Sequence, residues 1–252
     1  MKLFLLFCCC FIASDLLAQS TKSFEPDLLR SFKKIAYWRD NQYSDTTGTL
    51  VDSLANANNV FAKKLKHYSE KFPLSITNSF DSLKEYLYIS TSADGLFRIY
   101  SWDTWTGGTM HFFENVMQYK SGTITKAIID TPKEEGDSRP NYYKMYTFKA
   151  NGKSCYLAVY LFIGSSIDIA EGIHIYTIEK GKLVDVKLIK THSGLHGDLS
   201  YEVQTNSYDR PRIHFDSATK TVYLPLVDED NNFTSKFIQY KFTGQYFERV
   251  GN

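Results

Sequence analysis

Residues 141–189, with the sequence NYYKMYTFKANGKSCYLAVYLFIGSSIDIAEGIHIYTIEKGKLVDVKLI, carry the strongest fold signal in this chain. They form short runs rich in Tyr, Ile, Val, Phe and Thr, a composition that is typical of β-strands. Asn151-Gly152 and Lys180-Gly181 separate consecutive runs, and glycine-containing pairs of this kind close the tight turns of β-hairpins. The stretch therefore predicts neighbouring antiparallel strands.

The same pattern of short strand-like runs extends over the sequence from about residue 84 onward. Most connections between the runs are short enough for antiparallel neighbours. We predict eleven or twelve strands, at residues 84–91, 96–102, 108–119, 122–130, 141–149, 153–163, 172–179, 182–189, 201–206, 211–216, 220–227 and 233–250. The predicted fold class is mainly β: an antiparallel meander that is propeller-like or forms a partly closed sheet, with an open sandwich as the alternative.

Two segments before the strands carry apolar residues at helical spacing instead. The first is residues 27–38; the second begins near Thr49, which can cap a helix, and stops before Pro73. We therefore expect two N-terminal α-helices in a helical segment, residues 19–80, followed by an antiparallel β domain, residues 81–252.

Residues 1–20, MKLFLLFCCCFIASDLLAQS, are typical of a secretory signal peptide. Lys2 precedes an apolar run of about eleven residues, and a polar break follows before Ala18, where we expect cleavage. A lipoprotein leader is the alternative because three consecutive cysteines lie in the run, although no small-residue pair precedes them. The run is too short to span a bilayer, and no apolar stretch of roughly eighteen residues occurs elsewhere. We predict a signal peptide at residues 1–18 and an exported protein, periplasmic, associated with the outer membrane or extracellular, that is not an integral membrane protein.

The charge of the chain is almost balanced, with 29 basic against 28 acidic side chains and a net charge of +1. This balance gives no bulk attraction for phosphate backbones or anionic lipids, so we expect no nucleic-acid partner. Cys155 is the only cysteine beyond the leader, which excludes an intramolecular disulfide in the mature chain. It alternates with Leu157 and Val159 along one predicted strand, so we expect a buried and inert thiol.

The densest group of side chains suited to ligand binding is SWDTWTGGTMHFFE, residues 101–114. It places two of the three tryptophans beside an acid and a histidine around one glycine turn. Tryptophan covers the apolar face of a pyranose, and carboxylates accept hydrogen bonds from its hydroxyls. We therefore predict a ligand-binding site formed by Trp102, Asp103, Trp105 and His111. Within it, we favour Trp102 in the core and Trp105 at the turn.

Strand alternation places Glu114 on the opposite face from His111, among apolar neighbours. Such a carboxyl is either desolvated, with a raised pKa, or paired with a cation. A hairpin centred near Trp105 would bring Arg98 close to it, so we expect a cross-strand Arg98–Glu114 contact. A catalytic role for Glu114 would require a second carboxylate at a defined separation.

The second candidate site lies in the loop over residues 191–200, where His192, His196 and Asp198 can bind zinc or another divalent ion. A polar surface loop is the alternative, since no glutamate base follows the first histidine as in metalloprotease motifs. Long loops on a β scaffold often carry binding residues, and residues 131–140 form the other long loop of this sequence. No motif for a phosphate, nucleotide or redox cofactor is present, so we expect no cofactor.

Three parts of the sequence together resemble a known group of proteins. They are the end of the leader, LLAQS; the segment SADGLFRIYSWDT, which runs into TGGTM; and the closing segments VYLPLV and QYKFTGQYFE. In these parts the chain looks like uncharacterised exported β-rich proteins of Bacteroidetes-type bacteria. The resemblance implies a location beyond the inner membrane and implies no particular activity.

Two classes of function fit these features. The first is an exported, non-catalytic binding module for a glycan or another component of the cell envelope, which accounts for the aromatic side chains and the leader. The alternative is an exported hydrolase acting on a glycan or a peptide, with acids from residues 102–114 or a metal at residues 192–198. Two carboxylates facing each other across one cleft would favour the hydrolase.

Overall fold

Two α-helices and three β-sheets make up the described part of the chain. The structure is a computed structural model that describes residues 24–41, 49–132, 134, 136–207 and 209–251. The expected signal peptide, residues 1–18, lies outside these residues. Helix α1 spans residues 24–41 and helix α2 spans Thr49–Lys71. The strands are β1 Tyr88–Thr91, β2 Phe97–Asp103, β3 Phe113–Ser121, β4 Ile124–Ile129, β5 Asn141–Ala150, β6 Lys153–Ile163, β7 Asp168–Glu179, β8 Lys182–Asp185, β9 Ile189–Thr191, β10 Gly194–His196, β11 Asp198–Gln204, β12 His214–Asp216, β13 Thr221–Val227, β14 Phe233–Phe242 and β15 Phe247–Val250.

The described strands form three sheets that are antiparallel except at one pairing. The first sheet has the order β1–β2–β3–β4. The second has the order β11–β7–β6–β5, and β8 pairs with a different part of β7 from the part that pairs with β11. The third has the order β10–β9–β15–β14–β13–β12, with β9 and β15 parallel. The fold is thus mainly β, with antiparallel meanders after two N-terminal helices as predicted, and the described sheets do not close into a barrel.

The two helices cover one face of the first sheet. Leu28 and Ile35 of α1 and Phe61 of α2 are fully buried in one core with Tyr100 and Trp102 of β2. Each helix can bury such a stripe because its apolar residues recur every three or four positions. Burying one large apolar side chain contributes roughly 1.5–3 kcal/mol. The helices therefore share their core with the first sheet.

The second sheet is buried on both faces. One face meets the first sheet in an aromatic layer that includes Tyr142 and Tyr176. The other face meets the third sheet around Leu157 and Phe247. Burial on both faces explains why β6 is apolar at most positions instead of alternating. Cys155, 4% exposed, is buried as predicted, and burial raises the pKa of its thiol.

Two predicted strands are divided in the structure. The run at residues 182–189 ends as β8 at Asp185, and the chain then leaves the second sheet to form β9 in the third. The run at residues 233–250 is interrupted by a turn at residues 243–246, between β14 and β15. The loop expected at residues 191–200 contains the short strand β10. The sequence does not reveal these breaks because the residues on both sides are equally strand-like.

Candidate functional site

The connection between β2 and β3 forms the first candidate site. The two strands pair as far as Asp103 and Phe113, so residues 104–112 form a loop rather than a tight turn. The backbone N–H of His111 donates to the backbone oxygen of Ile163 at 3.0 Å. The loop of the first sheet is therefore anchored on the end of β6 in the second sheet.

Trp102 faces away from this loop. It is 1% exposed, and its ring packs edge-on against Phe61 with the ring centroids 4.9 Å apart. Its indole N–H donates to Asn58 Oδ1 at 3.0 Å. The prediction of Trp102 as a ligand-binding residue is therefore wrong, because strand alternation turns it toward helix α2. The favoured arrangement, with Trp102 in the core and Trp105 partly exposed at the turn, is confirmed.

The carboxylate of Asp103 holds two other predicted binding residues in place. Its Oδ1 accepts a hydrogen bond from the backbone N–H of Trp105 at 2.8 Å, and its Oδ2 lies 2.5 Å from His111 Nδ1. Trp105 has a left-handed backbone conformation with φ 58°. This conformation costs roughly 1–2 kcal/mol for a residue with a side chain. One carboxylate thus positions both the strained Trp105 and the imidazole.

These side chains face a cavity of about 450 Å³, here called the Trp105 pocket. The residues that line it are Arg39, Asp40, Asp103, Trp105, Gly107, Gly108, Met110 and His111. The Arg39 guanidinium lies 4.9 Å from the centroid of the Trp105 ring, and Arg39 Nε lies 2.8 Å from Asp40 Oδ1. The volume is typical of small-molecule sites. Arg39 and Asp40 bring groups of opposite charge together within the pocket, and the Asp103 carboxylate faces the His111 imidazole.

The imidazole of His111 keeps one nitrogen available for a ligand. Its Nδ1 faces the Asp103 carboxylate, so the neutral ring carries its proton on Nδ1 and has its lone pair on Nε2. Within the described ranges, no side chain or backbone group forms a hydrogen bond with this Nε2. It can therefore accept a hydrogen bond from a ligand hydroxyl or from water.

The two glycines of the loop differ in how closely the chain approaches them. A Cβ on Gly107 would lie 2.0 Å from the backbone oxygen of Met110 and 2.8 Å from Phe112 Cδ2. A Cβ on Gly108 would meet no heavy atom within 4 Å. Glycine is therefore required at position 107, where the loop folds back on itself, and not at position 108.

Glu114 and Arg98 do not form the predicted contact. The register pairs Glu114 with Trp102 and Arg98 with Gln118, because the β2–β3 loop is longer than a tight hairpin turn. Arg98 donates instead to two backbone oxygens that follow helix α2. Glu114 Oε1 lies 3.7 Å from Arg139 Nη1. Burial raises the pKa of Glu114, and the positive charge of Arg139 offsets only part of that effect.

The three predicted metal ligands are not brought together. His192 lies in the turn between β9 and β10, and His196 Nε2 lies 2.8 Å from Ser193 Oγ. Asp198 begins β11 in the second sheet, opposite His174 of β7. Among the described residues, no group of three or more His, Cys, Asp or Glu side chains is placed to hold a metal ion. The prediction fails because the chain passes from the third sheet to the second between His196 and Asp198.

Sequence reasoning missed a second cavity, of about 440 Å³, between the first and second sheets. It is here called the inter-sheet cavity, and its lining residues are Met117, Ile128, Asp130, Thr131, Asp137, Arg139, Pro140, Tyr142, Tyr160, Phe162, His174, Tyr176, Leu183, Asp185 and Asp198. Both long loops expected to carry binding residues contribute to it: residues 131–140 directly and residues 191–200 through Asp198. These two loops were the only features of the sequence that pointed to the inter-sheet cavity, because its other lining side chains come from strands far apart in the sequence.

No protein-family model, no curated protein and no solved structure matches this chain. In the part of the chain that the structure describes, no helix is both long and apolar enough to cross a membrane.

Proposed function

We propose that this protein is an exported binding module whose Trp105 pocket takes a neutral glycan. The observation that carries the proposal is the double role of Asp103, which hydrogen-bonds the strained Trp105 backbone and faces His111. Backbone strain tends to occur at functional sites, where the surrounding structure compensates for its cost. The pocket is thus organised before a ligand arrives, which reduces the ordering cost of binding.

A neutral sugar ring matches the chemistry of this pocket. The C–H face of a pyranose can stack on the Trp105 indole, and its hydroxyls can exchange hydrogen bonds with His111 Nε2 and the carboxylates. Arg39 offsets the charge of Asp40, and Asp103 beside a neutral imidazole leaves one negative charge among the described lining residues, which disfavours an anion. We therefore favour a neutral glycan over an acidic one at this site.

Export is supported by the leader predicted at residues 1–18 and by the resemblance to exported β-rich proteins. Export would expose the pocket to the glycans of the cell envelope and of the surrounding medium. A non-carbohydrate component of the envelope is the other ligand to which the pocket would then have access.

A hydrolase acting on a glycan or a peptide is the second candidate, and one contact favours it. A carboxylate that orients an imidazole through Nδ1 and leaves Nε2 open is the arrangement of a general base. Against it, Glu114 does not line the Trp105 pocket, and the two carboxylates that do, Asp40 and Asp103, are held by Arg39 and His111. Product analysis separates the two: a binding module returns an oligosaccharide intact, whereas a hydrolase shortens it and loses that activity in His111→Ala.

The test of the binding proposal is calorimetric titration of the purified protein with neutral oligosaccharides from cell walls and plants. We expect Trp105→Ala to lose about 2 kcal/mol of binding free energy, as for a contact residue that dominates an interface. The matched control is Tyr88→Ala, which removes a 53% exposed aromatic side chain outside the pocket and should bind like the wild type. Equal affinities of Trp105→Ala and the wild type would contradict the proposal, as would the absence of binding to every neutral glycan.

A further inference from the structure

We propose that the free edge of β11 binds an extended peptide of another protein, one that carries two basic residues four positions apart. β11 pairs with β7 along one side, and no described strand pairs along its other side. A peptide that adds to such an edge gains main-chain hydrogen bonds, and the side chains at its alternate positions give specificity. No residue of β11 lines the Trp105 pocket, so this proposal does not depend on the function proposed for that pocket.

Hydrogen bonds at both ends of the β7–β11 pairing identify the backbone groups of β11 that point outward. The Ile175 N–H donates to the Gly197 oxygen at 3.0 Å, and the Thr205 N–H donates to the Ile167 oxygen at 2.7 Å. Bonding to one neighbour alternates along an antiparallel strand, so every second residue between these ends bonds to β7. The residues that direct their N–H and C=O groups away from β7 are Asp198, Ser200, Glu202 and Gln204. All of them are exposed, and within the described ranges no group forms a hydrogen bond with their backbone.

The other edge strands of the described sheets are short, irregular or already covered. β1, β8, β10 and β12 have only three or four residues each. The register of β5 shifts between Tyr142 and Lys144, and the Ala127 N–H of β4 donates to Glu70 Oε1 at 3.2 Å. Short edges, bulges and side chains that cover an edge all prevent further strand pairing. β11, with seven residues in unbroken register, is the described edge best suited to receive a strand.

The charge of β11 excludes a second copy of this chain as the partner. The strand contains Asp198 and Glu202 and no basic residue, and neither carboxylate forms an ion pair within the described ranges. Two copies paired through this edge would bring four carboxylates onto one short ladder, where like charges repel. A strand with basic side chains would instead be attracted to both carboxylates.

A cavity of about 390 Å³, here called the Glu202 pocket, lies beside the outward side chains of β11. Glu202 pairs with Ala170, which pairs in turn with Phe162, so these side chains form one row on one face of the second sheet. The described lining includes the carboxylates of Asp168 and Glu202 and no basic side chain. Lysine and arginine combine an apolar stem with a cation, and both parts match this lining.

The partners of Asp168 leave its negative charge in place. Its carboxylate accepts hydrogen bonds from Ser165 Oγ at 2.6 Å and from Gln204 Nε2 at 2.9 Å. Both donors are neutral, so they orient the carboxylate without cancelling its charge. The Glu202 pocket is therefore suited to the cationic end of a basic side chain.

The positions of Asp198 and Glu202 define the spacing of the two basic residues. Directly opposite residues of an antiparallel pair bring their side chains together. The peptide residues opposite these two acids are four positions apart, with the residue opposite Ser200 midway between them. The two remaining positions face the half-buried side chains of Leu199 and Tyr201, where apolar residues fit. The expected order is basic, apolar, small polar, apolar, basic.

Two fluorescein-labelled peptides of equal composition, TKVTVKT and TKVTKVT, test this spacing by fluorescence anisotropy with the purified protein. Both lysines of the first peptide lie on one face of an extended strand, whereas those of the second lie on opposite faces. We expect TKVTVKT to bind at least about tenfold more tightly. Its affinity should fall as salt is added, because salt screens the carboxylates. Equal affinities of the two peptides would overturn the spacing.

N-methylation of TKVTVKT separates strand addition from attraction between charges alone. The N–H of its central threonine faces Ser200, whereas the N–H groups of its valines point away from β11. A methyl group on the threonine nitrogen removes a main-chain hydrogen bond and should weaken binding at least about tenfold. A methyl group on the nitrogen of the second valine is the matched control and should leave the affinity unchanged. Equal affinities of the two methylated peptides would overturn strand addition.

Glu202→Gln locates the peptide on the protein. Glu202 is exposed, so the change should leave the fold intact while weakening TKVTVKT binding about fivefold. The matched control is Glu85→Gln, the same change at an exposed glutamate outside the second sheet, which should bind like the wild type. Unchanged affinity in Glu202→Gln would overturn the location.

Hydrogen exchange of the backbone amides, followed by nuclear magnetic resonance, observes the edge directly. In the free protein, the amides of Ser200 and Glu202 should exchange faster than those of Tyr201 and Val203, which bond to β7. Binding of TKVTVKT should slow exchange at Ser200 and Glu202, and unchanged exchange there would overturn the edge as the site. Slow exchange of the same two amides in a concentration-dependent dimer of the free protein would assign the edge to a second copy of the chain and overturn the peptide as its partner.

Discussion

One carboxylate oxygen of Asp103 accepts a hydrogen bond from the backbone N–H of Trp105, and the other oxygen faces His111. A hydrogen bond to a charged group contributes roughly 1.5–3 kcal/mol, which is enough to offset the cost of a single left-handed residue. Trp102, one position earlier, points to the opposite face and is bonded to Asn58 in the core. Adjacent residues of one strand thus have separate functions, one in the fold and the other in the pocket.

Trp102→Ala and Trp105→Ala should therefore behave differently. Trp102→Ala leaves a cavity and removes the donor to Asn58 Oδ1, so it should lower the free energy of unfolding by roughly 3–5 kcal/mol. Trp105→Ala should lower it by only about 1 kcal/mol, because the side chain is partly exposed. Urea denaturation of both variants measures the difference, and equal losses of stability would contradict the placement of the two rings.

Comparing the free energy of unfolding of Glu114→Gln and the wild type at different pH values tests the burial of the Glu114 carboxyl. Burial raises the pKa of Glu114 above its ordinary value of 4.5, so the folded protein binds the proton more tightly than the unfolded chain. Its contribution to stability is then present below the unfolded pKa and is lost as the pH rises through the folded pKa. We expect Glu114→Gln to be more stable than the wild type at pH 7 and similar to it below pH 4.5. The reverse order at pH 7 would show that the contact with Arg139 outweighs burial.

Burial of individual side chains was predicted correctly from the sequence more often than their contact partners were. Strand alternation, a local property, was sufficient for Trp102, and the apolar run around Cys155 was sufficient for its burial. The Arg98–Glu114 contact depends on register, and register depends on the length of the loop between the strands. A pattern of strand-like residues does not define that length to within one residue.

The β2–β3 loop folds back closely on itself at the Trp105 pocket, where the Met110 backbone approaches Gly107. Gly107→Ala should deform it, because the added Cβ would meet the Met110 backbone oxygen at 2.0 Å. We expect this variant to lose glycan binding, while Gly108→Ala, with open space around its Cβ, should keep its free energy of unfolding within about 0.5 kcal/mol of the wild type. Titration of the two variants side by side is the measurement. Full binding by Gly107→Ala would mean that the shape of the loop does not define the pocket.

Element positions were predictable from composition, whereas sheet membership was not. Hairpin turns such as Asn151-Gly152 fix which strands are neighbours over a few residues. The passage from β8 to β9 and the parallel pairing of β9 with β15 join distant segments, and nothing local in the sequence indicates them. The inter-sheet cavity was missed for the same reason: its walls come from two sheets.

In the molecule as a whole, helices and sheets are stacked so that each layer shares a core with the next. Trp38, Trp102 and Trp105, the three tryptophans, all lie in or against the core between the helices and the first sheet. Their fluorescence therefore follows unfolding of the helices and the first sheet. Phe247 lies at the other end of the stack, fully buried between the second and third sheets. Shared cores predict that the layers unfold together.

Phe247→Ala tests this cooperativity. Loss of the buried ring should reduce the free energy of unfolding by roughly 3–5 kcal/mol. If the layers unfold as one unit, the midpoint followed by tryptophan fluorescence should decrease as much as the midpoint followed by circular dichroism. An unchanged fluorescence midpoint, with a separate earlier transition in circular dichroism, would show that the third sheet unfolds independently.

The claim that the Trp105 pocket binds a neutral glycan is tested most directly by nuclear magnetic resonance of the tryptophan indole N–H groups. Selective ¹⁵N labelling gives one signal for each of the three tryptophans, so each ring is observed separately during a glycan titration. We predict that the Trp105 signal moves with a saturable dependence on glycan concentration. The Trp102 signal should stay in place, because its N–H is bonded to Asn58 in the core. Saturable glycan binding that leaves the Trp105 signal unmoved would contradict the account.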